Sequence, residues 1–305
     1  MKATVAGAPV SFGVFELTPE GAETVSADAL SESLQQAGYA AIDLGPVGFL
    51  GRGAGLRARL ERFALELAGG WIQLPFTNDE AFTASLPTLR ETLRVFSEAS
   101  EVGPSRLPLP TLADHGSATR AAHPGRGTDV DPLVADETNR LYDNVARAAR
   151  IVRDAGFEPT FHHHAGTFVE SPDEIEAFLA HTDVGLTLDT GHLAIAGGDL
   201  IEAVGRWGSR INHLHLKDVD FARLSEVLAG GGGMAEVWSG GTFVAFGRGD
   251  VDLTAVMALV DTTGYDGWVV VEQDVLNGPN VSISEFLAAR AADQRVNREA
   301  LRRWA

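Results

Sequence analysis

Val184-Gly-Leu-Thr-Leu-Asp189-Thr-Gly-His192, Ile211-Asn-His213-Leu-His215-Leu-Lys217-Asp218 and Trp268-Val-Val-Val-Glu272 each carry a short apolar strand pattern to a metal-ligand residue. A fourth stretch, Pro159-Thr-Phe-His162-His163-His164, comes just before them. In a barrel of eight parallel strands the carboxyl ends converge on one mouth, and the chemistry sits there. Two carboxylates, an imidazole and a histidine cluster delivered to one mouth predict a divalent-metal site, and with it an enzyme.

The rest of the chain has the rhythm such a barrel requires, short apolar strands alternating with amphipathic helices. Strands are expected at Ala3–Ala6, Ala40–Leu44, Gly70–Leu74, Arg106–Leu109, Glu158–His163, Val184–Asp189, Ile211–Leu216 and Trp268–Glu272. Helices are expected at Ser26–Gln36, Asp131–Ala155 and Pro172–Ala180, the last opened by Ser171-Pro-Asp-Glu174, a serine cap followed by proline and acids. Ser282–Ala305 reads as a C-terminal helix. Two segments break the rhythm. Thr111–Asp129, polar and rich in Gly, Pro and His, reads as a long loop over the mouth. Gly230–Gly249 reads as a flexible lid or connector; its glycine runs lack the Lys-Ser/Thr of a phosphate-binding loop. The expectation is an α/β chain folded as one (β/α)8 TIM barrel over residues 1–305.

At 305 residues and 45% hydrophobic, the chain is large enough for that core. A formal charge of −18 argues against a nucleic-acid partner, because phosphate backbones need a basic face. There is no cysteine, so disulfides and thiolate ligands are excluded. No apolar run reaches the length of a signal peptide core or a membrane span. A cytoplasmic protein with no membrane partner is expected; a homo-oligomer is the one protein partner considered.

The proposed ligands follow from strand geometry. Asp189 closes an apolar strand, where a carboxylate is costly unless paired or bound to metal. It also suits a helix N-cap, but the next helix is expected only near Asp199. His213 and His215 share a face, and His215 stands nearer the mouth. Glu272 follows three valines and needs a partner. His162 is the choice for a fourth ligand, because Glu158 on the same face lies toward the wrong end of its strand. His164, His192 and Lys217 face the same mouth as candidate proton carriers or substrate contacts. Two imidazoles and two carboxylates suit Mn, Co, Fe or Zn better than Ca, with manganese the first choice.

With these residues placed, the chain resembles the xylose-isomerase-like barrel superfamily of sugar isomerases, epimerases and dehydratases, and within it the inosose dehydratase branch of myo-inositol catabolism. The resemblance runs through Ala8-Pro-Val-Ser-Phe-Gly-Val-Phe-Glu16, Leu44-Gly-Pro-Val-Gly-Phe-Leu50, Phe161-His-His-His-Ala-Gly-Thr167, Asp189-Thr-Gly-His-Leu-Ala194, His213-Leu-His-Leu-Lys-Asp218 and Gly247-Arg-Gly-Asp-Val-Asp252. Histidine at position 162, where most of the superfamily carries glutamate, points to the dehydratase branch. Phe12 and Asp43 depart from the more usual tryptophan and glutamate. The resemblance implies one divalent metal, a small polyol or ketose substrate, and β-elimination of water from a cyclic polyhydroxy ketone. Isomerisation or epimerisation, elimination of an aglycone from a 3-oxo-glycoside, and a non-catalytic sugar-binding barrel are the alternatives. No nicotinamide or flavin is implied, since no GxGxxG opens a helix.

Overall fold

The structure, a computed structural model, describes residues 4–15, 23–101, 104–277 and 280–304. Ala3, Glu16 and Ala305, which enter the sequence expectations, lie outside the described residues. Eight parallel strands close into a barrel. In chain order they are β1 (Thr4–Gly7), β2 (Ala41–Asp43), β3 (Glu66–Leu74), β4 (Leu109–Asp114), β5 (Thr160–His162), β6 (Gly185–Asp189), β7 (Ile211–Leu216) and, last of the ten strands among the described residues, β10 (Trp268–Val271). Two further strands, β8 (Asp218–Val219) and β9 (Phe243–Val244), form an antiparallel ribbon beyond the mouth end of β7. The ring runs β1-β10-β7-β6-β5-β4-β3-β2, so no barrel edge is left unpaired.

Alternate residues fill the barrel or pack under the helices. Outward residues such as Val5, Ile42, Leu112, Phe161, Leu188, Leu214 and Val271 are buried against the surrounding helices in one continuous core. At the closed end Trp268 packs on Ala6, Ala41, Ala68 and Val270, one large ring filling the space that alanines leave. One layer higher, the hydroxyls of Thr160 and Thr187 pair at 2.8 Å. Directly above them, two residues on along each strand, stand His162 and Asp189.

Three expectations need correction. The fourth strand is Leu109–Asp114 rather than Arg106–Leu109, so Thr111–Asp114 belongs to the sheet and not to a loop. Pro108 and Pro110 disguise it. Pro110 is tolerated because the pairing of β4 with β5 begins only at Thr111. The loop that follows carries single-turn helices at Ala118–Ala121 and Gly127–Val130. Asp131, expected to begin the long helix, instead accepts hydrogen bonds from Ser117 Oγ and, at its carbonyl, from Arg120 Nε; the helix runs Ala135–Asp154. Finally, Gly230–Gly249 is not a plain connector: it holds the helix Met234–Ser239 and strand β9. The helices Ala27–Ala37, Pro172–His181 and Ile283–Ala300 lie where expected, each capped by the serine before it.

Candidate metal centre

The four residues expected to converge do so. One nitrogen or oxygen atom from each of His162, Asp189, His215 and Glu272 lies within 4.8 Å of all the others, and all four side chains are buried. His162 Nε2 is 3.3 Å from Asp189 Oδ2, and His215 Nδ1 is 2.9 Å from Glu272 Oε2 and 3.8 Å from Asp189 Oδ2. Burial, the largest influence on His162, holds its ring below the ordinary histidine range and hence neutral. Burial pushes His215 the same way, but the Glu272 and Asp189 carboxylates together outweigh it and raise the ring. Two neutral or carboxylate-paired imidazoles and two carboxylates form a donor set that fits a first-row divalent ion. The buried Nδ1 of His162 and Nε2 of His215 find no hydrogen-bond partner among the described residues.

Asp189 also caps a helix, which corrects the expectation that no helix follows it closely. A short helix begins at once, Thr190–Ile195, and Asp189 Oδ1 caps it by accepting the His192 N–H at 2.9 Å. Its Oδ2 faces the cluster. Capping and ligation therefore exclude each other only for one oxygen, not for the carboxylate. The Asp189 N–H in turn donates to His163 Nε2 at 3.1 Å, so the middle histidine of the triple positions the strand end. Burial carries His163 down to about 3, which keeps that nitrogen an acceptor.

Lys217 is buried rather than at the surface. Its Nζ lies 2.7 Å from both Asp189 Oδ2 and Glu272 Oε2, 3.4 Å from Asp274 Oδ2 and 3.2 Å from His192 Nε2. Burial alone would depress the ammonium, but Asp189, Asp274 and Glu272 together hold it above its usual range. The backbone of Lys217 is clamped by Thr190, whose hydroxyl donates to the Lys217 carbonyl and accepts from its N–H, both at 2.8 Å. Gly191 is required for the close approach, because a Cβ there would stand 2.6 Å from Lys217 Cβ.

His164 and His192 lie side by side, ring centroids 3.6 Å apart. With Asp274 they form a second group of donors, His192 Nε2 being 3.6 Å from Asp274 Oδ2. Burial keeps both imidazoles neutral, His164 falling to about 3. Asp274 is pushed up to about 7 by burial, against the pull of Lys217 and with the push of Glu272. The sequence reading missed Asp274, although Glu272-Gln-Asp274 repeats the two-residue spacing that drew attention to His213 and His215.

Above these groups opens a cavity of about 340 Å³ at the barrel mouth. His164, His215, Lys217, Glu272 and Asp274 line it together with apolar Val10, Val14, Trp71, Met234 and Trp238, and Trp71 packs edge to face on His162 and His164. Phe15 and Trp238 meet edge to face at 5.6 Å along the rim. The loops framing the cavity are held by buried ions that no local pattern betrays. Arg120 donates to the carbonyls of Asp131 and Thr167, each at 2.9 Å, and pairs with Glu174 at 2.9 Å. Glu170 accepts from the N–H groups of Gly125, Gly127 and Gly166 at 2.6, 2.9 and 2.7 Å. Asp218, last of the His213–Asp218 motif, is spent in the same way: its two oxygens accept from Val219, Gly247, Gly249 and Val251.

The amino-acid sequence matches the family described as Xylose isomerase-like TIM barrel over residues 32–293. It is 30% identical over 277 residues to an inosose dehydratase of Geobacillus kaustophilus (strain HTA426), covering 88% of this chain and 86% of that protein. Among solved structures, the fold is shared with the probable 3-DHS dehydratase AsbF involved in petrobactin synthesis from Bacillus anthracis, with a TM-score of 0.68 and 13% identity over 99% of this chain and 98% of that one. It is also shared with an L-ribulose 3-epimerase, with a TM-score of 0.67 and 16% identity over 98% and 93%. Among the described residues no helix is long and apolar enough to cross a membrane. With the closed barrel and a match over most of its length, the chain belongs to the xylose isomerase-like TIM barrel family.

Proposed function

We propose that the protein is a divalent-metal-dependent dehydratase that removes water from a cyclic polyhydroxy ketone of the inosose type. One observation carries the reading: the buried His162–Asp189–His215–Glu272 cluster stands directly beside a second group of proton-carrying side chains, His164, His192 and Asp274. The inosose dehydratase relative suggests the substrate class. A divalent ion held by the four residues would supply Lewis acidity to a ketone oxygen and so ease loss of the neighbouring proton.

The chain's own groups account for the remaining steps. A neutral imidazole of the His164–His192 pair takes the proton from the carbon beside the ketone. The other member of the pair receives that proton from the first and delivers it to the hydroxyl leaving the next carbon. One C–H and one C–O bond break, a C=C bond forms, water departs, and the enol product relaxes to a dione. Lys217 keeps a positive charge beside Asp189, Glu272 and Asp274 and can donate to a substrate oxygen. The apolar lining, Trp71 and Trp238 included, offers a face for the ring's C–H groups and shields the reacting carbons from water. We take residues 1–305 as one catalytic domain acting on a small molecule, with no nucleic-acid partner.

The test is turnover of scyllo-inosose by protein reconstituted with Mn2+, Co2+, Fe2+ or Zn2+, read as ultraviolet absorbance of an enone or dione. His192→Ala and His164→Ala should keep the metal and lose about two to four orders of magnitude in rate. Epimerisation is the second reading, favoured by the fold shared with an L-ribulose epimerase. Exchange of deuterium beside the ketone, with ketoses interconverted and no water released, would establish that reading and overturn dehydration.

A further inference from the structure

Reaching one layer deeper into the barrel is another group of buried polar side chains, which shares His215 with the cluster above and adds Asp43 and His213, two residues the mechanism does not use. Asp43 at the end of β2, His213 on β7 and His215 bring a carboxylate oxygen and ring nitrogens within 4.8 Å of one another. All three are buried. Neither ring nitrogen of His213 has a hydrogen-bond partner among the described residues, and neither does Nε2 of His215. Gly69 leaves its own Cβ position beside His213 and Asp43 open. A Cβ there would stand 3.0 Å from His213 Nε2, 3.0 Å from the Leu109 carbonyl oxygen and 3.3 Å from Asp43 Oδ2. The Asp43 carboxylate is tethered at its other oxygen, where Oδ1 accepts the Gly45 N–H at 3.3 Å.

We propose that Asp43 is a positioning residue for the metal centre, holding the second ring nitrogen of His215 through a water seated in the chamber beside Gly69, with His213 as the water's further partner. The inference rests on the reading of His162, Asp189, His215 and Glu272 as metal ligands. His215 turns Nδ1 toward Glu272 and Asp189, so ligation there leaves the ring's proton on Nε2. An imidazole that ligates through one nitrogen needs an acceptor for the N–H on the other, and that acceptor fixes both tautomer and ring angle. Left unpaired in a dry interior, the N–H is a standing cost. Asp43 is the carboxylate grouped with His215 outside the four-residue cluster. Atoms separated by up to 4.8 Å are beyond direct hydrogen bonding at the limit of that span, but one water bridges it. Buried waters make about three hydrogen bonds. His213, Asp43 and His215 supply that number, while the nearby Thr160 and Thr187 hydroxyls pair with each other.

The experiment is calorimetric titration of chelator-stripped wild type, Asp43→Asn, Asp43→Glu and Gly69→Ala with Mn2+, alongside thermal unfolding in chelator. Asp43→Asn should weaken Mn2+ binding by about 10- to 100-fold. Gly69→Ala should weaken it in the same direction by filling the chamber, and Asp43→Glu should recover part of the loss. An Asp43→Asn protein that unfolds earlier in chelator yet binds Mn2+ as the wild type does would reduce Asp43 to a packing role and overturn the proposal. So would two ions per wild-type chain with one lost in Asp43→Asn, since the chamber would then itself hold metal. Wild-type protein that takes up no Mn2+ would instead overturn the metal centre, and this inference with it. Should Gly69→Ala fail to fold, the two Asp43 variants decide.

Discussion

Replacing Lys217 with methionine keeps the length of the side chain and removes its charge from between Asp189 and Glu272, each 2.7 Å from Nζ. Three carboxylates, Asp274 included, then share a buried space with no ammonium among them. Taking one partner from a buried ion pair costs about 3–5 kcal/mol, because the remaining charge stays desolvated. Unfolding entropy of about 2.1 cal/mol/K per residue gives roughly 0.64 kcal/mol/K for 305 residues, so Tm should fall by about 5–8 °C. Calorimetric melts of wild type and variant in chelator measure this. The same melts with saturating Mn2+ should show a smaller deficit, because a dication among Asp189 and Glu272 replaces the missing charge and stabilises the folded state by mass action. A variant that melts within about 2 °C of wild type in chelator would refute the reasoning, as would a deficit that Mn2+ leaves unchanged.

Two other perturbations follow from buried ions away from the cluster. Asp114 is pushed up to about 6 from an ordinary 3.8, chiefly by burial, with the Phe168 and Gly116 N–H groups pulling the other way. The folded protein therefore holds a proton that the unfolded chain has released. Its contribution is fully present below about pH 4 and lost as pH rises through about 6, a fall of about 3 kcal/mol. Urea unfolding of wild type and Asp114→Asn from pH 4 to 7 should show the difference moving toward the variant by that amount; a constant difference would refute the assignment. Arg120→Met removes the donor to Asp131 and Thr167 and the partner of Glu174. It should cost about 3–5 kcal/mol and, in folded protein at reduced temperature, raise KM more than it lowers kcat, because the loops it ties frame the cavity.

What could be read in advance was whatever repeats along one strand. His162, Asp189, His215 and Glu272 all sit where apolar alternation ends, so their convergence needed only the rule that parallel strands share a mouth. Asp274 carried the same signal and was overlooked because it lies three residues past the strand's last apolar position, Val271. The fourth strand was hidden by prolines whose tolerance depends on when the neighbouring strand begins to pair. Lys217 has the right parity, but its burial is set by the carboxylates around it and by the space Gly191 leaves, neither visible locally. Arg120, Glu170 and Glu174 join segments about 40 to 55 residues apart through single ions, and no periodicity announces such contacts. Asp189 shows a subtler failure: cap and ligand were weighed as rivals, whereas a carboxylate has two oxygens.

The four clustered residues come from β5, β6, β7 and β10, consecutive staves on one side of the ring. The opposite staves and their loops contribute Val10, Val14, Trp71, Gln73 and His115 to the cavity and none of that cluster. On the proposed function the barrel is thus partitioned lengthwise into a reactive half and a fitting half, with Met234 and Trp238 adding to the fit from the reactive side. Changes in the first half of the chain can reshape what the cavity admits without disturbing the cluster, and exchanging that half with a relative's should transplant selectivity while leaving reactivity in place. Asp43 is the exception: belonging to the fitting half, yet grouped with His215, it is the seam at which such a chimera would have to be matched.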